Sequence, residues 1–373
     1  MEKIKILHLA KKYQGNSRLR NIMILGPDPG RFEIKACFMS GKSDGNNLLD
    51  KNGKSIYLQI DNPDRRKLHA INTLVRFLRK EKPFILHCHR HRATVYGAIA
   101  ATLTGVPYVV SHVHGTERTR NTIRKLTNIL ISKKIVRFVG VSNGVREDFI
   151  KSNPGIPVSK VIAIQNGVDF KLFHGHSSKE EARKRLREEL AGKFIFGIIA
   201  RLNYKKNHNL LIDSLNIVLG KRPDSHLLIV GDGPLRPKLE EKVAHLKLNN
   251  NVTFLGFRTD IPDILMALDA FILPSLYGEG FPLAILEAMG LRLPIIASKI
   301  PGIIEMFDGV EAGRLIDPHN VQEMADAMLW IANLGNMERK KMSDNAFNHA
   351  RVNFNAEVMI KKIETLYDAI IGG

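Results

Sequence analysis

Apolar and polar positions alternate along this chain between two periods. Short runs rich in Ile, Val, Leu and Phe fall at Lys3 to Leu9, Phe32 to Phe38, Ser55 to Ile60, Phe84 to Cys88, Tyr108 to His112, Val136 to Val141 and Lys160 to Ile164. Between them lie segments with apolar residues three and four apart. Leu68, Ile71, Leu74, Val75 and Leu78 predict one buried helix face with Arg and Lys opposite. A second series begins further on, with strands expected at Phe194 to Ala200, His226 to Gly231, Val252 to Phe257, Ala270 to Leu273, Pro294 to Ser298 and Arg314 to Ile316. Helical patterns fill its intervals at Leu210 to Leu219, Leu235 to Leu246, Phe281 to Met289 and Val321 to Ala332, and a last one runs over Ala346 to Ile371. Near-continuous apolar strands alternating with amphipathic helices predict parallel sheets covered on both faces. The fold class is therefore α/β, with two doubly wound, Rossmann-like domains facing across a cleft and ligands held at the carboxyl ends of the strands.

The expected boundaries are 1–172 for the first domain and 173–352 for the second. A polar stretch from Phe173 to Ser178 reads as the linker. Ser177 or Ser178 with Glu180 or Glu181 forms a capping-box pattern that opens a charged helix. The segment Lys11 to Arg20, containing Gly15, reads as a basic loop leaving the first strand.

One stretch carries chemistry. Leu273 to Gly290 runs from a buried strand through Tyr277-Gly278-Glu279-Gly280 into a helix opened by Pro282. It puts Glu279 in the loop and Glu287 on the helix, with the N–H groups of the first helical turn between them. Carboxylates accept hydrogen bonds from sugar hydroxyls, and a helix N-terminus favours phosphate oxygens. A polyhydroxylated anion such as a nucleotide sugar suits both. The alternative makes Glu279 a solvated loop residue and Glu287 an exposed helix residue.

Composition narrows the class. The chain has 373 residues, 44% hydrophobic and 25% charged, an ordinary soluble balance. No apolar run reaches the length of a bilayer span, and the charged, strand-like start predicts no signal peptide. Cys37 and Cys88 offer neither a disulfide framework nor metal spacing. A cytoplasmic location is expected, including a peripheral one at the inner face of the membrane. The net charge of +19 is one-sided: residues 1–175 hold 31 Lys and Arg against 12 Asp and Glu, and the remainder holds 25 of each sign. Such asymmetry predicts an anionic partner such as a membrane surface, a glycolipid or a nucleic acid; an effect on solubility alone is the competing reading.

With the two-domain alternation and the loop-helix stretch together, the sequence resembles the retaining nucleotide-sugar glycosyltransferases of the GT-B fold, glycosyltransferase family 4. Glu279 and Glu287 match that family's paired glutamates. The resemblance implies that Glu279 binds donor sugar hydroxyls and Glu287 the ribose, with backbone N–H groups from Gly280, Phe281 and Leu283, around Pro282, near sugar and phosphate. Ala200 to His208 matches the family's Arg-Leu and Lys segment, implying that Arg201 and Lys206 neutralise the diphosphate. Considered alone, such a pair also reads as a solvated loop. Gly231-Asp232-Gly233-Pro234 matches the family's Gly-x-Gly-Pro and implies backbone approach to the nucleotide, although a plain tight turn is the competing reading. Ser111 to Thr116 resembles the family's His-Gly element, which implies that His114 faces the donor sugar near the reacting carbon; considered alone, His114 reads as a structural histidine at a strand end. Val141 to Val145 and Asn166 to Asp169 match segments near the domain junction and are given structural roles. Residues 353–373 are expected to form a C-terminal helix crossing back to the first domain.

The match has departures. Where the family carries two adjacent glycines in its first loop, this chain has Gln14-Gly15-Asn16, so Gly15 is the single donor or acceptor contact expected there. Pro301-Gly302-Ile303-Ile304-Glu305 replaces a Gly-Gly segment followed by a carboxylate. His87-Cys88-His89-Arg90-His91-Arg92 suggests a metal site, but adjacent positions on a strand end point to opposite faces, so it reads as a basic cleft edge. No Asp-x-Asp occurs in the chain. The implied reaction is a retaining, metal-independent transfer of a hexose, with a UDP-sugar favoured as donor and no cofactor beyond that co-substrate. The acceptor expected is an anionic or membrane-associated glycan or glycolipid, in bacterial-type cell-surface polysaccharide or lipopolysaccharide assembly. Arg120 to Phe138 adds an apolar stripe, Ile123, Leu126, Leu130 and Ile131, flanked by Arg124, Lys125, Lys133 and Lys134; a core-facing helix with a solvated basic face is the alternative. A GT-B epimerase or phosphorylase is the competing enzyme. A basic nucleic-acid binder is disfavoured because the basic half lacks an aromatic platform.

Overall fold

The structure is a computed structural model that describes every residue except 1, 14, 16, 44, 46, 117–120, 174–177 and 373, together with the side chain of Glu188. The chain divides into two compact units, Met1–Val168 with Ala356–Gly373, and Asp169–Asn355. These limits lie a few residues from the 172 and 353 read from the sequence. Val168 and Ala356 meet at the junction, where the Ala356 N–H donates to the Val168 carbonyl at 3.0 Å.

The first unit is built on seven parallel strands: β1 (Ile4–Lys12), β2 (Phe32–Ser40), β3 (Ser55–Tyr57), β4 (Ile85–His89), β5 (Tyr108–Val113), β6 (Ile135–Gly140) and β7 (Val161–Ala163). Their order is β3-β2-β1-β4-β5-β6-β7. The order reverses direction between β1 and β4, which opens a crevice at the carboxyl ends of those strands. One sheet face packs on the helices Lys67–Glu81 and Arg90–Thr104. The other is covered by Met23 and Ile24 and by the C-terminal helix Ala356–Ile371, which contributes Met359, Ile363, Leu366, Tyr367 and Ile370.

The second unit has six parallel strands: β8 (Phe194–Ile199), β9 (Ser225–Val230), β10 (Val252–Gly256), β11 (Ala270–Leu273), β12 (Ile295–Ser298) and β13 (Gly313–Ile316). Their order, β10-β9-β8-β11-β12-β13, has its own switch between β8 and β11. Strands β9, β11 and β12 are buried at every position, as sheets covered on both faces require. Asp269, just before β11, is buried. Its carboxylate accepts from the Ile195 N–H at 2.7 Å, from Arg183 at 2.5 Å and from Lys179 at 2.9 Å. That buried charge ties the opening helix of the unit, Lys179–Leu186, to the amino-terminal ends of the two central strands, β8 and β11.

Several local expectations change. The basic loop after β1 gives way to a helix, Arg18–Leu25, capped by the Ser17 hydroxyl; its modest apolar content hid it. Leu68 is 80% exposed, and Ala70 takes its place on the buried face of Lys67–Glu81. Phe173, read as linker, is buried in the second unit against Gly290. The rest of that linker, including Ser177, lies outside the described residues. Ser178 and Glu181 do form the capping box, with reciprocal bonds of 3.3 and 2.9 Å.

Candidate functional site

In the second unit, the residues singled out from the sequence converge on the switch between β8 and β11. The chain leaves β8 through Ala200 and Arg201 into a short 3-10 turn, Tyr204–Lys206, whose Asn203 side chain accepts from the Lys206 N–H. Opposite, the chain leaves β11 into the loop holding Glu279. The two segments are tied together: the Leu276 N–H donates to the Lys205 carbonyl at 2.8 Å, and Lys205 Nζ donates to the Gly278 carbonyl at 2.7 Å. Lys206 Nζ then reaches Glu279 Oε1 at 2.8 Å, with Lys205 Nζ 3.2 Å from the same oxygen.

Glu279 is buried, which by itself would push its carboxyl up. The ammonium groups of Lys206 and Lys205 outweigh that penalty and hold it below the ordinary carboxylate value. Glu279 is therefore a fixed anion and not a solvated loop residue. Glu287 is also buried, on the helix Leu283–Gly290. No side chain caps the N-terminus of that helix, and its first turn holds no acidic residue. Its leading N–H groups therefore carry positive character toward the loop. Phe281 points inward, 4.9 Å from the Phe354 ring, so its side chain is core and only its backbone can serve a ligand. Arg201 is exposed.

The glycine turns explain part of this packing. A Cβ at Gly231 would sit 2.0 Å from the Ala200 carbonyl oxygen, and one at Gly233 would sit 2.3 Å from that of Leu202. The close approach these glycines permit is thus to the chain's own backbone beside Arg201. Gly302 lies against the site loop, where a Cβ would fall 2.1 Å from the Glu279 carbonyl oxygen. The Pro301 segment forms the short helix Pro301–Ile304 that brings this contact about.

In the first unit, His114 follows β5 and is half-buried. The sequence reading of its surroundings needs correction. Strand β4 ends at His89, and Arg90 begins a helix, so Arg90 and Arg92 are exposed while His87 and His89 point together to one sheet face. They meet His8 from β1, His112 from β5 and His114 just beyond its end. His87 pairs in register with His8, and His89 with His112. The sequence carries the signal as two His-x-His spacings, His87-Cys88-His89 and His112-Val113-His114, each of which puts both imidazoles on one sheet face. Gly15 has a left-handed φ of +75°; its neighbours Gln14 and Asn16 lie outside the described residues. Ser142 caps the helix Asn143–Ser152, in line with the structural role expected of that segment.

Two doubly wound parallel sheets, each with chemistry-bearing residues at its switch point, define a GT-B architecture. The comparisons agree: the family model for glycosyl transferases group 1 matches residues 178–349, and that for glycosyltransferase family 4 matches residues 36–172. The chain belongs to this glycosyltransferase family and is a glycosyltransferase. An Escherichia coli relative, UDP-Gal:alpha-D-GlcNAc-diphosphoundecaprenol alpha-1,3-galactosyltransferase, is 33% identical over 81% of this chain and 79% of its own length. The capsular polysaccharide biosynthesis glycosyltransferase CapM of Staphylococcus aureus is 23% identical over 82% of this chain and 81% of its own. Among solved structures, Anabaena Alr3699/HepE in complex with UDP and glucose superposes with a TM-score of 0.84 at 23% identity, covering 98% of this chain and 100% of that one.

Proposed function

We propose that this enzyme transfers a hexose from a UDP-sugar, with retention and without a metal, to a lipid-linked or otherwise anionic glycan in bacterial-type polysaccharide or lipopolysaccharide assembly. The observation that carries the donor half is the Lys205, Lys206 and Glu279 cluster at the β8–β11 switch, beside the helix Leu283–Gly290 with no side-chain cap. An ammonium has three donors, so Lys206 can hold Glu279 and a phosphate oxygen together. Glu279 then accepts from sugar hydroxyls, and Glu287 from the ribose. Arg201, Lys206 and the helix N-terminus stabilise the charge that develops on the departing diphosphate. The acceptor hydroxyl attacks from the same face and gives its proton to the leaving phosphate, with His114 beside the donor sugar. The E. coli relative's named acceptor is a lipid diphosphate, which fits the basic first half of this chain.

The surface of the first unit supports an acceptor at a membrane. On the helix Thr122–Ser132, Ile123, Leu126 and Leu130 are 73%, 58% and 75% exposed. Ile131 packs into the core instead, and Ile129 joins the exposed stripe; Arg120 lies outside the described residues. Basic residues beside an exposed apolar stripe suit an anionic bilayer. No helix among the described residues is long and apolar enough to cross a membrane.

The test is UDP release from UDP-galactose and UDP-glucose with and without a polyprenyl-diphosphate-linked sugar acceptor, followed by proton NMR of the fresh product. Acceptor-dependent release is expected, with the α configuration of the donor kept in the product and seen as an equatorial anomeric proton. An inverted centre, or a requirement for added divalent metal, overturns the mechanism. Acceptor-independent conversion of the donor sugar favours an epimerase. Sedimentation with anionic vesicles that weakens in salt is expected, and equal binding to neutral vesicles refutes the electrostatic part.

A further inference from the structure

The five histidines on one face of the first sheet are joined in a single line through the phenol of Tyr367. His112 Nδ1 lies 3.0 Å from His87 Nε2, and His87 Nδ1 lies 2.8 Å from the Tyr367 hydroxyl. That hydroxyl is 2.9 Å from His8 Nε2, His8 Nδ1 is 2.9 Å from His89 Nε2, and His89 Nδ1 is 3.0 Å from His114 Nε2. His8, His87, His112 and Tyr367 are each at most 1% exposed. A neutral imidazole has one donor and one acceptor, and a phenol has one hydrogen to give. Each bond in the line therefore fixes the sense of the next, and only two arrangements are self-consistent.

The far end of the line decides between them. His112 Nε2 is buried and has no hydrogen-bond partner among the described residues. If the donors run away from His114, that nitrogen carries an orphaned N–H. If they run toward His114, His112 puts its proton on Nδ1 and leaves a bare lone pair at Nε2. Among backbone groups, orphaned buried N–H donors are rarer than under-satisfied acceptors, and the same preference applied to this imidazole selects the second. In the sense toward His114, each of the five bonds holds one hydrogen and His112 Nε2 is left as an acceptor.

We propose that His112, His87, Tyr367, His8 and His89 form a one-way line of hydrogen bonds that holds His114 with its proton on Nδ1, which makes them positioning residues for His114. The consequence for chemistry rests on the reading of His114 as the residue beside the donor sugar: its hydrogen-bonding polarity there is set from the C-terminal helix, some 250 residues away in sequence by the numbering of His114 and Tyr367. The same tautomer follows for all five histidines. It is the one that a free histidine side chain adopts less often.

A cation is the competing occupant, because His89, His112 and His114 offer nitrogens within 4.8 Å of one another. Coordination through His112 Nε2 and His89 Nδ1 would place protons on His112 Nδ1 and His89 Nε2. Donors would then run toward Tyr367 from both sides, and the phenol hydrogen would lose its acceptor. The metal-free line uses five hydrogens in five bonds.

The test is long-range proton–nitrogen correlation on protein labelled with nitrogen-15 at its 14 histidines, with and without one equivalent of zinc. His114 is assigned from His114→Gln. Five Nδ1–H tautomers at pH 7.5, unchanged by zinc, are expected. Nε2–H forms for these five, or zinc-induced shifts with one ion retained through dialysis, overturn the proposal. Two variants add an independent reading. His89→Leu removes the donor to His114 and is expected to lower kcat about tenfold or more, with the donor KM unchanged. His89→Asn, whose amide can donate in the place of Nδ1, is expected to restore most of it. Equal loss in both variants counts against a directional bond. If the tautomers are as expected but His114→Gln is fully active, the role given to His114 fails while the line stands.

Discussion

Lowering the pH should weaken the first unit steeply, and the buried histidines set the size of the effect. Burial, aided by the neighbouring His112 imidazole and the Arg20 guanidinium, depresses His8 from 6.5 to about 3. Burial alone depresses His112 to about 4, and burial with the neighbouring imidazoles holds His87 well below its ordinary value. These groups are neutral in the fold and take up protons in the unfolded chain below pH 6.5. Stability is therefore fully present above that value and declines as pH falls from 6.5 toward 4 and 3. Each such histidine costs about 1.4 kcal/mol per pH unit in that window. Between pH 7.5 and 5, His8 and His112 together remove about 4 kcal/mol, a large share of the roughly 5–15 kcal/mol that holds a domain folded, and His87 adds in the same direction. Hydrogen exchange with mass spectrometry on peptides from β1, β4 and β5, corrected for intrinsic rates, measures this between pH 7.5 and 5. His112→Asn should reduce the slope by one proton. Unchanged protection at pH 5, or an unchanged slope in the variant, refutes the assignment of neutral buried imidazoles.

Three further outcomes follow from named contacts. Lys206→Met removes the closer cation from buried Glu279; kcat/KM should fall about 100-fold, and retention of full activity would remove Lys206 from the donor site. Gly302→Ala places a Cβ against the Glu279 and Gly280 carbonyl oxygens. A shift of about 1 Å in that loop should cost about 100-fold in activity, and relieving the clash with backbone should also lower stability by about 1–3 kcal/mol; a fully active variant would show that the loop's position is not critical. Asp269→Ala strands Arg183 and the Ile195 N–H; a loss of about 3–5 kcal/mol in urea unfolding is expected, and a loss under 1 kcal/mol would contradict the buried tie.

Much of the fold was legible because parallel strands covered on both faces leave a strong local mark. β11, Ala270–Leu273, coincides with its apolar run, and the other strands fall within a few residues of theirs. The helix Arg18–Leu25 escaped because its apolar content is weak, and Leu68 was misplaced because a residue in the first turn of a helix need not face the core.

The site divides in the same way. Glu279, Glu287, Arg201 and Lys206 could be picked from the sequence because a strand, a glycine loop and a helix N-terminus leave a recognisable order of residues. The sequence could not show that Lys206 is bonded to Glu279, since the two lie on loops brought together only by the strand order β9-β8-β11. Nor could it show that Gly231 and Gly233 accommodate the backbone of Ala200 and Leu202. The histidine line shows the limit most clearly. Its five imidazoles come from three strands and the residue that follows one of them, and its phenol comes from the last helix. Local periodicity determined which sheet face each side chain took, but only the pairing of β1, β4 and β5 and the return of Ala356–Ile371 over that face brought their nitrogens within hydrogen-bonding distance.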